Sequence, residues 1–99
     1  MNVRFLSLTE QEIDEVVAWF DEHLEGKGTD FLDELDRVIR RVKAYPFAST
    51  QIEPDIRKCS FVRFPYSLIY GIEGQTIVVI AVAHHRRTPR YWMDRVESD

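Results

Sequence analysis

Seven consecutive apolar residues, Ile77 to Ala83, constrain the fold of this chain more than any other segment. Side chains on a strand alternate between two faces, so a strand apolar at every position has to be covered on both. The run is therefore the centre of a sheet, within a strand placed at 76–86. Glu73-Gly74-Gln75 before it reads as a hairpin turn, with a preceding strand over 66–73. A further strand over 55–64 must bend at Phe64-Pro65-Tyr66, because Pro65 cannot donate to a ladder. Period-two alternation puts Arg57, Cys59, Phe61 and Arg63 on one of its faces. Ile56, Lys58, Ser60, Val62 and Phe64 fall on the other.

Helical periodicity governs the first half. After a short opening strand at Val3-Arg4-Phe5-Leu6, Thr9 with Glu12 three residues on forms a capping-box pattern. Ile13, Val16, Val17, Phe20 and Leu24 then recur at helical spacing. Gly26-Lys27-Gly28 ends that helix and turns the chain. A second helix from near Asp30 buries Phe31, Leu35, Val38, Ile39 and Val42 and stops before Pro46. Two amphipathic helices with so short a joint form an antiparallel hairpin. Residues 45–54, with two prolines, are expected to be an irregular connection. The architecture expected is α+β, with an N-terminal short strand and a two-helix hairpin packed on a small antiparallel sheet. The hairpin covers one face of that sheet. The second face needs another cover or is a binding surface.

Length and composition fit a single domain over 1–99, with 44% apolar and 30% charged residues. The lone Cys59 cannot form an internal disulfide and fits a reducing cytoplasm. No leader pattern opens the chain, and no apolar run reaches the roughly 18 residues a membrane span needs. The net charge of -4 is unevenly spread. Residues 1–36 hold eleven carboxylates against Arg4 and Lys27, whereas residues 37–99 hold eleven Lys and Arg against six carboxylates. Two surfaces of opposite sign are expected.

Adjacent His84 and His85 point to opposite faces of a strand, and Cys59 has no CxxC partner, so no metal site is expected. No cofactor motif appears, and Ser60, Ser67, Asp94 and Cys59 form no nucleophile arrangement. The cations differ. Arg57, Arg63, Arg86, Arg87, Arg90 and Arg95 lie on or after strands, close to Tyr66, Tyr70, Tyr91 and Trp92. Guanidinium groups and ring faces hold phosphates and stack bases, and they also form protein–protein hot spots. Pairing with the chain's own carboxylates is the simpler alternative. For Trp92 the simpler alternative is a ring that caps the core.

Taken in order, Phe31-Leu32-Asp33-Glu34-Leu35, Pro46, Arg57, Arg63-Phe64-Pro65-Tyr66 with Ile69-Tyr70, the apolar strand, and His84-His85-Arg86-Arg87-Thr88-Pro89-Arg90-Tyr91-Trp92 form a pattern. It resembles the ParE/RelE superfamily of toxins from type II toxin–antitoxin systems, and the ParE branch most. The resemblance implies a helical hairpin on a small sheet and a growth-inhibiting cytoplasmic toxin neutralised by a cognate antitoxin. ParE-like members poison DNA gyrase by stabilising its cleaved DNA complex, meeting nucleic acid only indirectly. RelE-like members cleave mRNA on the ribosome. A RelE-like set here would be Arg57, Lys58, Arg63, Arg86 and Tyr91, with Tyr91 as general base. That role requires a neighbouring cation to lower a phenol pKa of about 10. Proteins working on RNA are usually basic, which a pI of about 5.3 fits poorly. The expectation is a toxin that acts by binding, through Arg86, Arg87, Arg90, Tyr91 and Trp92. Its partners are an antitoxin and gyrase, with no membrane and no cofactor.

Overall fold

Residues 1–98 are described by a computed structural model. The elements run β1 (Asn2–Phe5), α1 (Ser7–His23), α2 (Lys27–Ala44), β2 (Thr50–Glu53), β3 (Ile56–Ser60), β4 (Tyr66–Glu73), β5 (Thr76–His84) and α3 (Met93–Ser98). They build one five-stranded sheet in the order β1-β5-β4-β3-β2. The apolar run is interior as its composition requires, with β4 antiparallel on one side and β1 parallel on the other.

Two features depart from the expected sheet. Thr50–Glu53 forms an edge strand inside the stretch expected to be irregular, pairing with β3 across a register shift between Gln51 and Glu53. Flanking Pro46 and Pro54 lie outside its ladder, so they bracket the strand without breaking it. The strand expected over 55–64 ends at Ser60, ahead of the bend at Pro65. Its alternation holds as far as Phe61 and fails at Phe64, which joins Phe61 in the core under the helices.

Both faces of the sheet are covered. Phe31, Leu35, Val38 and Val42 of α2 and Ile13 of α1 pack on Leu68, Tyr70, Ile77, Val79 and Val82. Phe20, Phe31, Phe61, Phe64 and Tyr66 add a run of ring contacts with centroids 5.1–6.3 Å apart. The opposite core holds Leu6, Ile56, Ile69, Val78, Ile80, Ala81 and Trp92. A bulge makes this possible: Ile69 pairs with Ala81 but Tyr70 with Val79. The extra residue, Ile80, lets two successive side chains reach the second core.

Helix α1 begins at Ser7, with Leu6 as N-cap and no side-chain cap bond. The expected capping box at Thr9 and Glu12 therefore does not form, because the helix starts two residues before it. Both side chains instead face β5. Strand β1 ends at Phe5, opposite Val79, so on that side the backbone of β5 beyond this point has no strand beside it. Helix α1 completes the edge. The Thr9 hydroxyl donates to the Ile80 carbonyl, and the Val82 N–H donates to Glu12 Oε1 at 2.9 Å. At the other end of the hairpin Gly26 adopts φ 80°. Gly28, expected in the turn, lies in the first turn of α2, and its N–H donates to Asp21 Oδ1 at 3.0 Å. Asp21 thus caps α2 from the neighbouring helix.

The segment between β3 and β4 is held by one buried carboxylate. Glu34, 3% exposed on α2, accepts the N–H of Val62 at 2.5 Å and of Arg63 at 3.2 Å. Burial raises its pKa, but the two N–H bonds and the Arg37 and Arg63 charges outweigh this and hold it below 4.5. A lowered native pKa stabilises the fold above the unfolded value, and this contribution is lost as pH falls through the native one. Below about pH 4.5 the wild type should therefore lose urea-unfolding stability faster than Glu34→Gln, whose amide does not titrate. At pH 7 Glu34→Gln should be about 2 kcal/mol less stable, since a neutral amide holds the two N–H groups more weakly.

Candidate functional site

The tail leaves β5 at His84 and folds back over the second face of the sheet. The His85 N–H donates to the Pro65 carbonyl at 2.8 Å, and Arg90 takes up φ 65°. Trp92 then enters the second core, 3% exposed, and α3 follows. The return is fastened at Glu12. Its carboxylate accepts the Tyr91 hydroxyl at 2.5 Å and both Arg95 nitrogens at 2.9 and 3.0 Å, besides Val82 N–H. Arg95 also donates to the Ile80 carbonyl at 3.1 Å. Glu12 and Arg95 side chains are only 10% and 14% exposed, so each charge depends on the other for compensation.

This clasp sorts the cations and rings of the tail. Arg90 pairs with Glu53 at 3.3 Å, tying the tail to β2, and Trp92 is a core residue. Arg87 lies over the Tyr91 ring, 3.8 Å from its centroid, with its charge exposed. Arg86 is exposed, and its guanidinium makes no hydrogen bond or ion pair among the described residues. His84 is half-buried, edge-on to Tyr66 at 4.9 Å, with Nδ1 accepting the Arg86 N–H. His85 is exposed on the other face and bonds Ser67.

The RelE-like set does not come together as a whole, although Arg63 and Tyr91 line one groove. The Arg57 guanidinium donates to the Phe47 and Ser49 carbonyls at 3.0 and 2.8 Å, bracing the connection after α2. Arg63 stands beside α1, whereas Lys58 lies on the opposite sheet face. The Tyr91 phenol is pushed well above its ordinary value by burial, its bond to Glu12 and the Glu12 charge, against the opposing pull of Arg95 and Arg87. A phenol so held keeps its proton, the reverse of what a general base requires.

A groove of about 820 Å³ runs between α1 and the ends of β4 and β5. On one wall, α1 presents Leu8, Gln11, Glu15 and Trp19, the indole 54% exposed and stacked on His23 at 4.0 Å. On the other stand Lys27, Arg63, His84 and Arg87 over Phe64 and Pro65. The groove thus joins an apolar floor to walls of opposite charge. Glu12 at its end, with Thr9 and Glu34, was not singled out as a site residue by sequence. The i, i+3 spacing of Thr9 and Glu12 was the one available signal, and it fits a same-face pair as well as a cap.

Removing one partner of a buried ion pair strands the other, which costs about 3–5 kcal/mol. Glu12→Ala and Arg95→Ala should each lower unfolding free energy by about that much in urea titrations. The double variant should lose much less than the sum, because both changes break one unit.

Among the described residues, no helix is long and apolar enough to cross a membrane, and no group of three or more His, Cys, Asp or Glu is placed to hold a metal. No curated protein sequence matches the chain. Among solved structures, a chain of the chromosomal ParDE toxin–antitoxin system from P. aeruginosa has the same fold, with a TM-score of 0.67 at 13% identity. The match covers 85% of this chain and 95% of that one. Residues 3–89 match the family described as the ParE toxin of the type II toxin–antitoxin system parDE. With nearly the whole sequence inside that match, the chain belongs to the ParE toxin family of type II toxin–antitoxin systems.

Proposed function

We propose that this toxin acts in the cytoplasm by binding DNA gyrase and stabilising its cleaved complex with DNA. The observation that carries this is the division of the tail. Arg90, Tyr91, Trp92 and Arg95 hold the fold, while Arg86 and Arg87 present charge outward at the end of β5. Exposed guanidinium groups in the turn just past a strand end suit contact with a protein or with phosphate already held by one. Tyr91, pinned as a donor to Glu12 with its phenol pKa pushed up, is ill placed to act as the general base of a RelE-like reaction. On this reading Arg86 and Arg87, of the five residues expected from sequence, make the direct contact.

The groove beside α1 supports the antitoxin half of the reading. An amphipathic segment fits such a groove, with an apolar side chain on Trp19 and Leu8 and a carboxylate toward Arg63 and Arg87. Arg87 lines this groove, so an antitoxin lying there covers part of the target-binding surface, which accounts for neutralisation.

Purified toxin with gyrase, ATP and supercoiled plasmid should accumulate linear DNA after denaturation. Arg86→Ala/Arg87→Ala should raise the half-maximal concentration at least about tenfold, or about 1.4 kcal/mol, with unfolding unchanged. Codon-specific cuts in translated mRNA with gyrase untouched would replace this reading with a nuclease. Trp19→Ala should weaken antitoxin binding by about 2 kcal/mol in calorimetry without changing gyrase cleavage.

A further inference from the structure

The sheet face opposite the hairpin carries polar groups that neither the fold nor the proposed target contact uses. On that face Ile56, Ile69, Val78 and Ile80 form an apolar core under the tail. Toward the other end the same rows of side chains turn polar. Lys58 and Ser60 follow Ile56 on β3, Ser67 precedes Ile69 on β4, and His85 follows Ala83 off the end of β5. The register brings them together, since Ser60 pairs with Ser67 and Ser67 with Ala83. All four line one hollow of about 420 Å³ beneath the loop 88–92.

The hydrogen bonds among them form a chain. Ser60 Oγ lies 3.4 Å from Ser67 Oγ, which lies 3.1 Å from His85 Nε2. When Nε2 carries the proton, it donates to Ser67 and Ser67 donates to Ser60. The Ser60 hydroxyl proton is then left for a group in the hollow. Beside it the Lys58 ammonium makes no hydrogen bond or ion pair among the described residues. Glu53 is the carboxylate lining this hollow, and Arg90 neutralises it at 3.3 Å. The hollow is therefore a net positive, donor-rich site despite the acidic chain around it.

We propose that this hollow binds the phosphate of a nucleotide unit. Lys58 supplies the charge and Ser60 a directed donor, while Ser67 and His85 orient that donor. Ile52, Ile69 and Pro89 add apolar surface for the attached sugar or base. A volume of this size, with convergent donors beside apolar surface, suits a ligand larger than inorganic phosphate. The hollow opens on the other sheet face from the α1 groove and meets it at the sheet end, where His84, Arg87 and Tyr91 line both. Lys58, Ser60, Ser67 and His85 line the hollow alone, so the site stands whether or not gyrase is the target. The nucleotide unit comes either from the free pool or from a nucleic-acid strand.

The test is an amide-resolved NMR titration of the intact protein with deoxyadenosine 5′-monophosphate, deoxyadenosine, and a 5′-phosphorylated tetradeoxynucleotide. The monophosphate or the tetranucleotide should give saturable shifts at Lys58, Ser60, Ser67 and His85, and the nucleoside none. Lys58→Ala and Ser60→Ala, both at exposed positions, should each weaken binding at least about tenfold, or about 1.4 kcal/mol, with unfolding unchanged. Tighter binding of the tetranucleotide assigns the site to a strand, and equal or weaker binding assigns it to free nucleotides. Absence of saturable shifts, equal shifts with the nucleoside, or binding indifferent to both substitutions would overturn the proposal.

Discussion

Where β1 stops, half of β5 is left with an unpaired backbone edge, and a single carboxylate closes it. Glu12 accepts the Val82 N–H as a neighbouring strand's carbonyl would, one helical turn from Thr9, which satisfies the Ile80 carbonyl. A carboxylate has acceptor capacity beyond one bond, and the tail uses it through Tyr91 and Arg95. Three separate parts of the chain thus meet at one residue: the first helix, the interior strand and the C-terminal return. Charge-assisted bonds of this kind are strong where water is excluded. The sites of the molecule are organised around this junction. It fixes α1 against the sheet, which shapes the groove. It also seats Trp92, which closes the second core and roofs the hollow on that face.

The charge asymmetry of the sequence becomes a spatial one. Carboxylates crowd the exposed surface of α1, while unpaired cations gather at the far ends of β3 and β5. The few carboxylates that leave the acidic surface are the ones with structural duties. Glu12 fastens the tail, Glu34 holds the segment before β4, and Glu53 receives Arg90. Cations left over from these pairings, Arg86, Arg87 and Lys58, mark the surfaces proposed to meet partners and ligand.

The last strand, expected over 76–86 and ending at His84, and the buried stripe of α2 were legible in the sequence because their signals are local. Seven apolar residues in a row, or Phe31, Leu35, Val38 and Val42 at helical spacing, need no distant partner to be recognised. Strand β2 was not legible, since four residues between prolines owe their extension to pairing with β3. Thr9 and Glu12 were visible but misassigned. Their spacing serves a cap and a same-face pair equally, and the deciding partners, Ile80 and Val82, lie about seventy residues away. The tail was found by its density of cations and rings. Its division into fastening and presenting residues depended on Glu12 and Glu53, contacts that composition does not reveal. Trp92 shows the same limit, for an indole that caps a core and one offered to a partner look alike in sequence.

The Glu12 carboxylate replaces a strand at the open edge of β5. Native-state hydrogen exchange of the Val82 amide tests it most directly, because an N–H on an unpaired edge exchanges through local fluctuations whereas a bonded one requires larger opening. In the wild type, Val82 should be protected nearly as strongly as Leu68 in the sheet interior. In Glu12→Ala its protection should fall well below that of Leu68 measured in the same variant. A Val82 amide that exchanges freely in the wild type, or keeps its standing relative to Leu68 in Glu12→Ala, would contradict the account.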